Sequence, residues 1–426
     1  MRPRIAIVAW GDLVADWLGP LGVSLDEFRD AFTGSWMFGY VDALRSAGVD
    51  TTIVAVTTAV PSPTTWAHKP TGARLHLLPP APLFGPAARI MLDEPIGDRR
   101  DPVTLGRAAV RHAAPYLATP VLRLARLLRE DRCDAVLCQE YETPRFDACV
   151  IAGGISRTDV FAVFQGGDYQ DSRLERPLRP LTIRRAAGLI VPTSTEIARV
   201  GVRYHVPRAR IAQIFNPVDT DVWRPRDRAS ARSVLGIGAD AVVAIWHGQV
   251  QLRRKGLDLL LEAWAAIERA RPDRELTLLL VGSGADVAEV MRRIEALGLR
   301  GARHVDRWVN DRAETAGLLS AADVYVFPSR HEGFPLAPVE AMACGLPAVA
   351  ADAQGIPDIL AAGEQHGGVI VGRDDARGLT DALGALIDDP DRRLELGRRA
   401  RVRAEAAFSV ESVGAELRRV LLREPS

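Results

Sequence analysis

Short unbroken apolar runs alternate along this chain with longer stretches of helical periodicity. Ile5–Trp10 is six apolar residues bounded by Arg4 and by Gly11-Asp12, the pattern of a strand buried on both faces. Met37–Gly48 has helical spacing, and Gly48 is a natural stop. Thr51–Val56 is the next strand. Strand, helix and strand at this spacing predict a βαβ opening with a parallel sheet. Residues 11–35 are polar and aromatic without a clear period, and 57–100, rich in Pro and Gly, predict one strand near Arg74–Leu78. Residues 102–130 predict one long amphipathic helix. The strand runs Ala135–Cys138, Val160–Phe164 and Gly188–Val191 follow, with a helix over 144–154, and Thr193 or Ser194 caps the helix opened by Glu196.

Asn216–Pro225 interrupts this rhythm and reads as a hinge. Beyond it the alternation restarts, with strands near 241–246, 276–281, 302–305, 323–327 and 347–350. Helices are predicted near 256–268, 284–297, 311–320, 337–344 and 375–388, then an Arg-rich helical tail over 390–424. The expectation is an α/β protein of two doubly wound, Rossmann-like domains, 1–215 and 216–408, facing each other across a cleft. Ligands of such sheets bind outside the carboxyl ends of the strands.

Composition narrows the function. The 426 residues carry 54 basic and 54 acidic side chains. Zero formal charge argues against a general nucleic-acid binder. No apolar stretch is long enough to span a membrane, and the six residues after Arg4 are too few for a secretory signal. Cys133, Cys138, Cys149 and Cys344 form no C-x-x-C pair. A cytoplasmic protein with reduced thiols is expected. The Arg-rich face within 106–130 reads as solvated rather than as a membrane anchor. All but two of the basic residues are Arg, so the lysines, Lys69 and Lys255, stand out.

Lys255 lies in Trp246-His-Gly-Gln-Val-Gln-Leu-Arg-Arg-Lys-Gly256, directly after a strand. Gly248 permits close backbone approach. Arg253, Arg254 and Lys255 place cations at the strand end, where Lys suits phosphate as a compact charge. Leu280-Val-Gly-Ser-Gly284 is another strand-to-helix turn. Gly282 and Gly284 there do not complete G-x-G-x-x-G, because position 287 is Val. Trp308-Val309 after the next strand either borders a base or is an ordinary core or rim pair. In Ala322–Pro347 a strand ends at Pro328 and a helix starts near Ala337. The N–H groups of Leu336 and Ala337 would open an anion site at that helix start. Glu332 in the loop and Glu340 on the helix each suit a vicinal diol.

These residues resemble the retaining glycosyltransferases of family 4, which have the GT-B fold. Glu332 and Glu340 match that family's two glutamates separated by seven residues. Ala341-Met-Ala-Cys-Gly-Leu-Pro347 matches the run after them, Gly248 to Gly256 the phosphate loop and Asn216-Pro-Val-Asp219 the hinge. The resemblance implies a transfer of sugar from a nucleotide diphosphate sugar, UDP being the commonest carrier, to a hydroxylated acceptor. Lys255 and Arg254 would hold the diphosphate. Glu340 would hold the ribose, and Glu332 with the backbone of Gly333 and Phe334 the donor sugar. The second domain would take the donor and the first the acceptor, and the helix within 409–426 would pack back on the first. Three positions depart from the family: Gln249 replaces its usual Arg, Gln139-Glu140 stand where a His is common, and Pro335 replaces a Gly.

No metal or resident cofactor is expected, since Lys, Arg and the helix start would meet the diphosphate charge. Asp219-Thr-Asp221 has the letters of a D-x-D metal signature but falls in the hinge. The acceptor is expected among strand-end loops of the first half: Gly34, Ser35 and Trp36, then Gln139 and Glu140, then Gln165, Gly166 and Asp168. Glu140 and Asp168 are candidate proton helpers. The aromatics Trp10, Trp17, Phe28, Phe32, Trp36, Phe38 and Trp66 offer either a stacking surface or ordinary core. Two alternatives remain open: another nucleotide-sugar enzyme of the same fold, such as an epimerase, and a non-catalytic nucleotide-sugar-binding partner.

Overall fold

The computed structural model describes residues 2–33, 36–85, 87, 102–166, 173–307 and 311–425. The chain divides into two compact units, Met1–Ile214 with Gly414–Ser426, and Phe215–Val413.

The first unit is built on an eight-stranded sheet. Its strands are β1 (Arg4–Asp12), β2 (Asp50–Val56), β3 (Thr64–Ala67), β4 (Arg74–Leu78), β5 (Ala135–Gln139), β6 (Asp159–Val163), β7 (Gly188–Ile190) and β8 (Ile211–Ala212), in the order β3-β4-β2-β1-β5-β6-β7-β8. All pairs are parallel except β3 with β4. The chain steps outward from β1 to β2 and β4, then crosses back to β5. This reversal makes the carboxyl ends of β1 and β5 the switch point where ligands of such sheets bind.

The second unit repeats the logic with six parallel strands: β9 (Val242–His247), β10 (Leu276–Val281), β11 (Ala302–Val305), β12 (Val324–Phe327), β13 (Ala348–Ala351) and β14 (Gly368–Val371), in the order β11-β10-β9-β12-β13-β14. Its switch point lies between β9 and β12. Successive residues of a strand face opposite sides, and both sides are covered. Val243, Ile245, Tyr325 and Phe327 pack on one face with Val339 and Met342. Ala244, Trp246, Val324 and Val326 pack on the other with Leu261 and Trp264. That double burial is why these strands read as unbroken apolar runs.

Several boundaries differ from the pattern-based expectation. The stretch expected as one helix over 102–130 is two, Pro102–Leu117 and Val121–Glu130. Pro120 separates them, because proline has no N–H to donate and biases the preceding residue away from helix. The tail is likewise two helices, Pro390–Phe408 and Val410–Leu421, split at Ser409, which has extended backbone and whose Val218 bridge holds it. Residues 11–35 hold a one-and-a-half-turn π-helix, Leu13–Leu18, and the helix Leu25–Asp30. Their aromatics make a core of their own: Phe28 and Phe38 are fully buried, Trp17 meets Phe28 and Phe32 edge-on, and Phe38 stacks on His68 at 4.4 Å. The stacking-surface reading gives way to the core reading at Phe28, Phe32 and Phe38, whereas Trp17 and Trp66 are half-buried and Trp10 is exposed. Within the first unit, Gly414 of the last helix packs against Trp36–Ser46, where an added Cβ would lie 2.0 Å from Ala43 O, and Arg418 donates to Ala47 O at 2.8 Å.

Candidate functional site

The loops after β9, β10 and β12 converge at the switch point of the second sheet. Glycines let them meet. Gly248 follows β9 at φ 149°, and Gly282 follows β10 at φ 139° with the carbonyl of Gly248 lying 1.9 Å from where a Cβ would stand. Gly256, at φ 67°, starts the helix Leu257–Ala270 against the carbonyl of Pro328, again 1.9 Å from a would-be Cβ. No other residue fits these three places.

The loops carry the chemistry. Lys255 Nζ donates to Glu332 Oε1 at 2.7 Å, and Ser329 Oγ also donates to that oxygen. Glu340, in the second turn of the helix Leu336–Ala343, is bound by His247 Nε2 at 3.0 Å. The helix start has no side-chain cap and Pro335 as its N-cap residue. Its first N–H groups therefore lack an intrahelical partner and carry the positive end of the dipole. Lys255, Glu332, Glu340, Leu336 and Ala337 are all partly exposed at this end of the sheet.

The neighbouring arginines do different work. Arg253 is 78% exposed but pairs with Asp258 at 2.7 Å. Arg254 is exposed and its guanidinium meets Gln251 at 3.4 Å. Gln249 is exposed and accepts from Gln251. Phe334 points into the core, stacked on Phe215 at 5.6 Å, so only its backbone is left for a ligand. Trp308 and Val309 lie outside the described residues.

Sequence reasoning passed over His247 and Ser329. Both stood in the quoted stretches, His247 as the last residue of a strand and Ser329 three before Glu332, but neither carries a charge that draws attention. Their signal was position: each is at a parallel strand's carboxyl end.

In the first unit, Gln139 ends β5 fully buried. Glu140 follows with φ 100°, rare for a side-chain-bearing residue. Its carboxylate accepts from Tyr141 N at 2.8 Å, Glu142 N at 3.0 Å and Gln165 N at 3.0 Å. Both oxygens thus hold the bend in place. Gln165 bonds the buried Tyr40, whose hydroxyl burial pushes up. Gly166 is exposed with φ 106°. Trp36 begins a helix, while Gly34, Ser35 and Asp168 lie outside the described residues. Asp219, the first residue of the D-x-D letters, accepts from its own turn at Asp221 N and Val222 N, 3.0 and 3.1 Å away.

Comparison with known proteins bears on both units. Residues 227–403 match the family model described as glycosyl transferases group 1, and residues 37–222 match that of glycosyltransferase family 4. The D-inositol 3-phosphate glycosyltransferase of Saccharomonospora viridis is 32% identical over 250 residues, 57% of this chain and 57% of that protein. That of Corynebacterium urealyticum is 33% identical over 261 residues, 59% and 60% of the two chains. The matched stretch thus spans less than two thirds of these relatives. Among solved structures, the sucrose-phosphate synthase of Thermosynechococcus elongatus aligns over 99% of both chains with a TM-score of 0.68 and 21% identity. Anabaena HepE in complex with UDP aligns over 99% of both chains with a TM-score of 0.69 and 16% identity. Those identities speak to the fold, which is that of GT-B glycosyltransferases. Among the described residues no helix is long and apolar enough to cross a membrane.

Proposed function

We propose that this chain, whose two units are glycosyltransferase domains of the family 4 type, transfers a hexose from a UDP-sugar to an acceptor hydroxyl with retention at the anomeric carbon. One observation carries the reading: Lys255, Glu332, Glu340 and an uncapped helix start converge at the switch point of the second sheet. A cation and free amides suit a diphosphate, and two separate carboxylates suit two sets of sugar hydroxyls.

Without ligand, Lys255 and Glu332 neutralise each other. Donor binding exchanges that pair: Lys255 moves to the diphosphate, and Glu332, still held by Ser329, accepts from the donor sugar. His247 keeps Glu340 aimed at the ribose. In the transfer, the bond from the anomeric carbon to the phosphate oxygen breaks and the bond to the acceptor oxygen forms on the same face. The acceptor proton passes to the departing phosphate. Lys255, Arg254 and the amides of Leu336 and Ala337 stabilise the charge that develops there. They meet it without a metal or resident cofactor, so turnover is expected to persist in EDTA. The acceptor is assigned to the first unit, near the ends of β1 and β5. Four free buried thiols suit a reducing cytoplasm.

The test is release of UDP from UDP-sugars in the presence of polyol acceptors, with the product's anomeric configuration read by NMR. An axial product from an axially linked donor, lost in Lys255→Ala, supports the reading. An equatorial product sinks retention. Binding without turnover favours the non-catalytic alternative, and solvent deuterium in the recovered donor favours an epimerase.

A further inference from the structure

We infer that Arg330 is a positioning residue of the donor site, which sets the separation of Lys255 and Glu332 by tying together the loops that carry them. The inference rests on the glycosyl-transfer reading above. Neither the phosphate-loop cations nor the glutamate pair includes it, and its charge invites a different role, that of a further grip on phosphate. Its bonds argue otherwise.

Arg330 lies two residues before Glu332 on the loop after β12. Its backbone N–H donates to Arg254 O at 2.9 Å. Its guanidinium donates to Arg253 O, to the two oxygens of Asp258 at 2.7 and 3.1 Å, and through Nε to Asp374 at 2.5 Å. A guanidinium has five N–H donors in a planar fork, and these bonds use four of them on protein oxygens. Little remains to offer a ligand, and its side chain is only 14% exposed.

The partners lie on two other strand-end loops and on the helix that follows one of them. Arg253 and Arg254 immediately precede Lys255 after β9. Asp258 sits in the first turn of Leu257–Ala270 and also takes Arg253. Asp374 follows β14, at φ 59°. Ser329, the preceding residue, lies 3.2 Å from Arg254 O and donates to Glu332. Arg330 therefore fixes the carbonyls on the Lys255 side to the backbone on the Glu332 side. Lysine cannot reproduce this, because a point charge does not span a fork of acceptors. A displacement of about 1 Å between binding groups costs about 10²-fold in rate, so the tie governs how well phosphate and sugar are gripped together.

The chain's two lysines make the test direct. Reductive methylation with carbon-13 labels Lys69, Lys255 and the amino terminus, and Lys255→Ala assigns the Lys255 signal. In the nucleotide-free protein, Arg330→Gln is expected to move the Lys255 signal toward its position in Glu332→Gln, with Lys69 unmoved. On unmodified protein, UDP affinity by calorimetry is expected to fall about 10-fold in Arg330→Gln, and Arg330→Lys to recover only part of it. Combining Arg330→Gln with Lys255→Ala is expected to cost little beyond Lys255→Ala alone, since both act through one contact. If Arg330→Gln fails to fold, Asp374→Asn removes one tie from an exposed loop and shifts the Lys255 signal the same way by less. A Lys255 signal that ignores these changes, or losses that multiply, overturns the inference. Wild-type protein that does not bind UDP overturns instead the function proposed above, since the nucleotide-free spectra judge Arg330 alone.

Discussion

At the scale of single residues, each carboxylate of the site is held by a protein partner until a ligand arrives. Lys255 on Glu332 at 2.7 Å and His247 on Glu340 at 3.0 Å leave each carboxylate partnered and partly exposed. Truncating a preorganised cation that meets developing charge costs about 10² or more in rate. Lys255→Ala is therefore expected to lower kcat by at least that factor. His247→Ala acts through Glu340 and removes one charge-assisted bond, worth about 1.5–3 kcal/mol. It is expected to weaken nucleotide binding roughly 10-fold or more, read by calorimetry. Unchanged affinity would show that Glu340 does not depend on His247. Glu140 behaves differently. Its three backbone bonds support an unusual backbone angle, so Glu140→Ala should lower stability to denaturant by about 1–3 kcal/mol, and no such loss would leave the bend unexplained.

At the scale of elements, glycine and one buried carboxylate shape the donor loops. Gly282→Ala would drive a Cβ into Gly248 O at a positive φ, a backbone clash expected to cost about 1–3 kcal/mol and to weaken nucleotide binding with it. Asp258 is buried under Arg330 and Arg253. Burial alone would raise its carboxyl, but the hydrogen bonds and charge of Arg330, with the charge of Arg253, hold it below the ordinary value of 3.8. A depressed carboxyl stabilises the fold at pH above that value, and the contribution is lost as pH falls through the folded-state value. Acid unfolding of wild type should thus be steeper below about pH 4 than that of Asp258→Asn, measured by fluorescence across a pH series. Identical acid limbs would contradict it.

The central strands of both sheets were legible as apolar runs because they are covered on two faces, and Glu332 and Glu340 were legible because charges stand out beside such runs. What stayed hidden was hidden for physical reasons. β14 and β3 are four residues each with mixed burial, too short for their pattern to stand out. The break at Pro120 needs the proline weighed above a strong helical period. His247 and Ser329 carry no signal of their own in the sequence, and their roles exist only once β9 and β12 lie side by side.

At the scale of the whole molecule, the proposed function divides the labour between two copies of one topological idea. The repetition of strand, helix and strand on either side of Asn216–Pro225 suggests two units in the sequence, and the chain divides between Ile214 and Phe215. The return of Gly414 onward to the first unit depends on close helix packing at Ala43. Gly414→Ala should therefore destabilise the first unit by about 1–3 kcal/mol while leaving UDP affinity unchanged, which denaturation and calorimetry together would read. In hydrogen exchange, UDP is expected to protect peptides holding Gly248–Gly256, 280–284 and 329–340. Protection centred instead on the ends of β1 and β5 would assign the nucleotide to the other unit.

The central claim is that the second unit holds a nucleotide diphosphate on Lys255. The most direct measurement is the thermal shift of wild type and Lys255→Ala with UDP, GDP, ADP and dTDP, each with and without its sugar. A shift with UDP that is lost in Lys255→Ala, growing with ligand concentration as linkage requires, is the predicted result. Shifts of equal size in the two proteins, or none with any nucleotide, would contradict it.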